Sequence, residues 1–292
     1  MTDEAVEAVL GSVDSTGDSI ASDVSVDSAA AAAPRQPRRT KEELRALMLE
    51  AAQQILVEEG LSAGTDSLTF PRVFDRVERD TGLRLTNASI LRRVWESQSD
   101  YHTDVLLAVA SQFAFVENQT TMVVTDPLIA DLDLSTPENR LAAARECCRV
   151  GCAAVVTAMA QSAGWALWMG VWALATAGEE TEQKRRVKEA LWASYEAGNQ
   201  FYVQSYAGLS DLVGIRLREG LTVEQFVVAT GALAEGCTLR NRLDENLVGF
   251  MLPTGPDGEE QEWTLFGLGV HALIERFYEI DPDWEPPKRH RG

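Results

Sequence analysis

The reading of this chain turns on Asn87-Ala88-Ser89-Ile90-Leu91-Arg92-Arg93-Val94-Trp95. Asn87 is a favourable helix N-cap, and Ala88 to Trp95 predict a short helix. Ile90, Leu91 and Val94 are spaced to face inward, leaving Ser89, Arg92 and Arg93 on its flanks. Two helices are predicted before it. The first opens at Thr40, where Thr40 and Glu43 fit a capping box, and stops near Gly60; Leu44, Leu47, Met48, Ala51 and Ile55 form its apolar face. The second follows Thr69, with Pro71 in its first turn, Val73, Phe74 and Val77 on its apolar face, and Gly82 as its breaker. A fourth helix is expected from Asp100 through Val116. Three short helices with a small gap before the last make a helix-turn-helix arrangement. The helix N-terminus would then enter a major groove, with Arg84, Thr86, Asn87, Ser89, Arg92 and Arg93 as DNA-binding candidates. Arg pairs with guanine, Asn with adenine, and Ser or Thr with phosphate. Arg35, Arg38, Arg39 and Lys41 suit a basic arm or, equally, a solvated linker.

Charge is unevenly distributed around this module. The chain has 292 residues and net charge −19, but residues 1–33, 34–103 and 104–292 carry −7, 0 and −12. An acidic body behind a neutral, arginine-tipped head disfavours non-specific binding to phosphates while permitting local contact. Residues 1–39, rich in Ser, Asp and Ala and ending Pro34-Arg35-Gln36-Pro37-Arg38-Arg39, are expected to be a disordered acidic tail with a basic end. The first residues are acidic, unlike a signal peptide. Four cysteines and three histidines are too few and scattered for a disulfide framework or zinc finger, and a reduced, cytoplasmic setting is expected.

The rest reads as helices, giving an all-α chain. Thr136-Pro137 opens an apolar stretch to Ala177, broken near Ser162-Ala163-Gly164. Val150 to Gly178 holds no charged residue, yet its small and polar residues fit a buried helix pair better than a membrane span. Glu179 to Tyr206 predicts a long helix and Leu209 to Glu219 a shorter one; no strand-like alternation of useful length is evident. Two final stripes follow: Val223, Phe226, Val227, Thr230, Ala234 and Cys237, then Phe266, Val270, Leu273 and Phe277. Gly267 and Gly269 leave room for close backbone approach.

Three clusters invite functional readings. Trp165, Trp168, Met169 and Trp172 share one helical face, and with Phe201, Tyr202 and Tyr206 they suit a pocket for a flat or lipid-like apolar ligand; the same stripe also suits plain core. Cys148 and Cys152, with Cys147 adjacent, suit a thiol sensor or soft-metal site or, more commonly for such residues, small buried packing. No phosphate loop, nucleophile elbow or zinc-protease motif is present, so no catalytic residue, metal ligand or cofactor is assigned and no enzyme is expected.

Ala51-Ala52-Gln53-Gln54-Ile55-Leu56-Val57-Glu58-Glu59-Gly60 resembles the first helix of the TetR family of bacterial transcriptional repressors, and Ser89 to Gln98 looks like that family's recognition helix and following turn. Leu221 to Glu245 and Trp263 to Asp281 are similar in layout to its paired C-terminal dimerisation helices. Against the family pattern, Val73-Phe74 replaces Ile-Ala, Arg92 replaces a phosphate-contacting Tyr, Trp95 replaces Phe, and the turn before Asn87 is longer. The resemblance implies a helix-turn-helix DNA-binding domain over 40–110, a helical ligand-binding and dimerisation domain over 111–283, and a flexible tail over 284–292. It further implies a homodimer that binds a near-palindromic double-stranded DNA operator and is released by a small-molecule effector. The dimer interface would comprise Val223, Phe226, Val227, Thr230, Ala234, Phe266, Val270, Leu273 and Phe277. Two alternatives stay open: a helical partner-binding or ligand-sensing protein without specific DNA binding, and an enzyme using the aromatic pocket.

Overall fold

The computed structural model describes residues 39–61, 64–112, 125, 128, 129 and 132–285, and these are mostly helical. Expectations for the acidic tail to residue 38, for helix beyond residue 112 and for the chain end after residue 285 lie outside the described residues.

Helix α1 (Lys41–Glu59) begins where its capping residues dictate. Thr40 Oγ1 accepts from the Glu43 N–H, and the Thr40 N–H donates to Glu43 Oε2. Helix α2 (Phe70–Thr81) ends at Gly82 in the left-handed region, φ 70°. Helix α3 is a single turn, Asn87–Ile90, shorter than the sequence predicts. Arg92 adopts φ 64°, and its N–H donates to the Trp95 carbonyl at 2.8 Å. The cause lies in Trp95. Its indole Nε1 donates to Asp104 Oδ2 at 2.7 Å, and its ring meets Tyr101 edge-on at 4.8 Å. Val94 and Trp95 are both buried. Helix α4 (Gln98–Ala110) follows, capped by Ser97 and Asp100.

Helix α5 (Pro137–Gln161) starts from a Thr136 cap, and α6 (Ala163–Thr176) leaves it at a 75° bend. Ser162 makes the corner, its Oγ accepting from the Trp165 N–H at 3.0 Å. No single helix among the described residues is long and apolar enough to cross a membrane. Helix α7 (Glu182–Val213) runs 32 residues, roughly 48 Å. The break expected before Leu209 does not occur. An interior glycine costs a helix only about 1 kcal/mol, and the core contacts of Tyr206, Leu209 and Leu212 flanking Gly208 outweigh it. Gly214 ends the helix, at φ 69° and with no space for a Cβ, which would stand 2.6 Å from the Trp284 ring.

Strands are present that the sequence reading missed. β1 (Ile215–Leu217) pairs antiparallel with β4 (Tyr278–Ile280), and β2 (Gly249–Leu252) with β3 (Gln261–Thr264). Each is three or four residues long, too short for a period-two pattern to register. Between them lie α8 (Val223–Leu243) and α9 (Leu265–Phe277). The β1–β4 pair ties the end of α7 to the end of α9 through Arg216 and Glu279, 3.0 Å apart. Gly267 lets α9 close on α5, because a Cβ there would lie 3.0 Å from the Cys148 carbonyl oxygen.

The described residues from Thr40 onward belong to one compact unit with two hydrophobic clusters. The first joins α1 to α4 with Leu167, Trp168 and Val171 of α6 and Val187 and Leu191 of α7. The front core therefore continues past Ala110 into the central helices. The second cluster gathers α5, α8 and α9 with Trp165 and Val213.

Candidate functional site

A cavity of about 140 Å³ lies within the second cluster. Helix α5 contributes Cys148, Cys152, Val155 and Met159; α6 contributes Trp165 and Trp168; α7 contributes Tyr195, Asn199, Tyr202 and Tyr206. Helix α8 supplies positions one turn apart in two rows, Phe226-Thr230-Ala234 and Val227-Gly231-Glu235, while α9 adds Phe266 and Val270. Rings line one end: Tyr202 stacks on Tyr206 at 6.0 Å, and Tyr206 meets Phe226 edge-on at 5.1 Å. Burial pushes the Tyr206 hydroxyl well above its ordinary value, so it stays protonated. The same cause raises the Cys147 thiol to about 12 and those of Cys148 and Cys152 further. These thiols are protonated at neutral pH, which disfavours nucleophilic or redox chemistry. Among the described residues, no group of three His, Cys, Asp or Glu side chains is placed to hold a metal ion.

Of the residues singled out for a ligand, Trp165, Trp168, Tyr202 and Tyr206 line the cavity, whereas Met169, Trp172 and Phe201 do not. Seven residues advance a helix by about 10.5 Å. That carries Trp172 beyond the cavity and into the front cluster, where it meets Trp168 at 5.0 Å and Tyr195 at 5.7 Å. Phe201 packs against the Tyr202 ring at 5.7 Å. The sequence reading missed Tyr195, Asn199 and Glu235. The signal lay in Val227-Gly231-Glu235, a carboxylate in register with an apolar row.

The stripes assigned to a dimer interface are corrected by their burial. Phe226, Val227, Thr230, Ala234, Phe266 and Val270 are buried within the chain itself, and all six line the cavity. Val223, Leu273 and Phe277 are partly buried, the last two packed on the same cluster. Each helix turns its most apolar face into its own core, and a second, weaker apolar face remains outside. Val228, Leu239 and Leu243 of α8 and Leu265 and Leu268 of α9 are exposed.

At the front, Arg84, Thr86, Asn87 and Arg92 are exposed and Arg93 is half-buried; Ser89 belongs to α3. Arg39 and Lys41 are exposed just before and within α1, and Arg38 lies outside the described residues. The arginines divide by role. Arg72 pairs with Glu59, Arg76 with Glu58 and Asp80, and Arg45 with Asp104, so these three join helices to one another. Among the described residues, Arg84 and Arg92 form no ion pair. Asp104 sits where burial raises a carboxyl, but the Arg45 and Trp95 hydrogen bonds outweigh burial and hold it below its usual value.

One contact links cavity and head. Trp168, which lines the cavity, donates from Nε1 to the carbonyl of Ala110, the last residue of α4, at 3.3 Å. Ser194 Oγ donates to the same oxygen at 2.7 Å. Compared with known proteins, the chain matches no family model and no curated protein.

Proposed function

We propose that this chain is a TetR-like transcriptional regulator: a homodimer that binds an operator through its front helices and is released by a small ligand in the cavity. The observation that carries this reading is the Trp168–Ala110 bond. It joins a cavity wall to the end of α4, whose other end follows directly on the exposed Arg92 turn. A ligand that shifts the Trp168 ring then changes the support of α4 and the spacing of two heads on DNA, which two-fold symmetry fixes at one or more helical turns. The exposed apolar residues Val228, Leu239, Leu243, Leu265 and Leu268 suit the subunit contact, since they lie on two helices packed against each other, and apolar surface gathered into one patch marks an interaction site. Among the described residues, the cavity lining contains no histidine and one carboxylate, which supports a binding role over acid–base catalysis. Free buried thiols fit a cytoplasmic setting.

The test is selection of genomic fragments by the purified full chain, followed by binding at several salt concentrations. Enrichment of a near-palindrome, with affinity lost in Arg84→Ala and in Arg92→Gly, is the expected result. A second reading is favoured by the single-turn α3: a ligand sensor without sequence-selective DNA binding. Ligand binding with no enriched sequence would select it.

A further inference from the structure

Glu235 stands out in a cavity otherwise lined mainly by apolar and aromatic side chains. It lies on α8 one turn beyond Gly231, and facing it from α7 are Tyr195 and Asn199, which share a hydrogen bond. Gly231 carries no side chain to fill the space there; the Tyr195 hydroxyl is 3.7 Å from where its Cβ would be. Glu235 forms no ion pair among the described residues. Burial disfavours its charged form, and a cation beside the carboxyl would favour that form again. Phe226 and Tyr206 line the cavity away from Glu235, their rings 5.1 Å apart. From Phe226 to Glu235 is nine residues of helix, about 13 Å, long enough for a ring and a short arm. A cavity near 150 Å³ holds a benzene-sized ring.

We infer that the cavity takes a small aralkyl or alkyl ammonium ion, its apolar body between α5, α6 and α8 and its charged nitrogen at Glu235 beside Tyr195 and Asn199. This rests on the effector-pocket reading above and narrows its ligand from apolar molecules in general to apolar monocations. A neutral ligand leaves the carboxylate unpaired, and an anion is repelled by it and by a chain of net charge −19.

Three probes of one shape separate the possibilities: 2-phenylethylamine, 2-phenylethanol and phenylacetate, titrated into the full chain at about pH 8, where an alkylamine is protonated. Calorimetry or quenching of tryptophan fluorescence reads the affinity. The amine binds at least about tenfold more tightly than the alcohol, as one charge-assisted hydrogen bond implies, and phenylacetate binds most weakly. Glu235→Gln preserves shape, removes the preference for the amine and leaves alcohol affinity within about twofold. Equal binding of amine and alcohol by the unaltered protein overturns the inference and leaves the pocket standing, as does an undiminished amine preference in Glu235→Gln. Binding of none of the three overturns the pocket reading together with it.

Discussion

Ala110 receives two hydrogen bonds from two helices, and that arrangement predicts a specific failure of additivity. Trp168 is 2% exposed. Trp168→Phe removes the Nε1 donor at 3.3 Å and part of a ring packed on Trp172. The bond contributes about 1 kcal/mol, and the lost ring, at roughly 40 Å² and 25 cal/mol per Å², about another 1 kcal/mol. The Ala110 oxygen keeps Ser194 as a partner at 2.7 Å, so no buried acceptor is orphaned. The expected loss is therefore about 2 kcal/mol. Ser194→Ala alone costs about 1 kcal/mol by the same reasoning, since Trp168 remains. The double variant leaves the oxygen with neither side-chain donor and should lose about 1 kcal/mol more than the sum. Urea unfolding at one fixed protein concentration measures all four corners of the cycle. Additivity within about 0.5 kcal/mol would refute the shared-acceptor argument, and with it the physical link from cavity to α4.

Other consequences follow from single residues. Arg92→Gly relieves a left-handed backbone costing about 1 kcal/mol, so its melting temperature should hold or rise, whereas Arg92→Val should lower it; calorimetric scans distinguish the two. Leu239→Glu combined with Leu268→Glu should shift the sedimenting mass towards the 32.0 kDa monomer without unfolding it, while Phe226→Glu, at 1% exposure, should unfold the chain. Asp104 is held below its ordinary value by Arg45 and Trp95 against burial. It thus contributes stability above the unfolded carboxylate value, about 3.9, that is lost as pH falls through its lower folded value. Stability measured against pH should show a shallower acid limb in Trp95→Phe.

How much the sequence discloses depends on whether a local group decides the outcome. Thr40, Gly60, Thr136 and Gly82 mark helix ends through their own chemistry, and the helices start and stop there. The end of α3 is set instead by Asp104, fourteen positions beyond Ile90, which draws in the Trp95 indole. The short strands depend likewise on partners far along the chain, as Ile215 does on Ile280. The final stripes were legible as apolar, but periodicity gives the face and not what covers it. Phe226 and Val228 both read as hydrophobic; only packing tells that one lines a cavity and the other meets water. Glu235 escaped for the opposite reason, because a glutamate on a helix is ordinarily solvated.

The unbroken α7 gives a pocket so far from the Arg92 turn a physical connection to the front helices. Had it stopped at Tyr206, as periodicity suggests, cavity residues near its end would hang on a separate short helix and could move without consequence for the front. Instead Val187 and Leu191 sit in the front cluster while Tyr195, Tyr202 and Tyr206 line the cavity on the same rod. Its 32 residues carry no proline, so no kink at that residue type is available to absorb a displacement. A ligand that moves the Tyr202 ring must repack it locally or tilt the rod. Close packing makes local repacking costly, typically 1–3 kcal/mol when a core is overfilled. Tilting moves Leu191 and Ser194, and Ser194 holds the end of α4. The cavity therefore reaches α4 twice, through Trp168 and through Ser194, and both routes meet on one carbonyl oxygen.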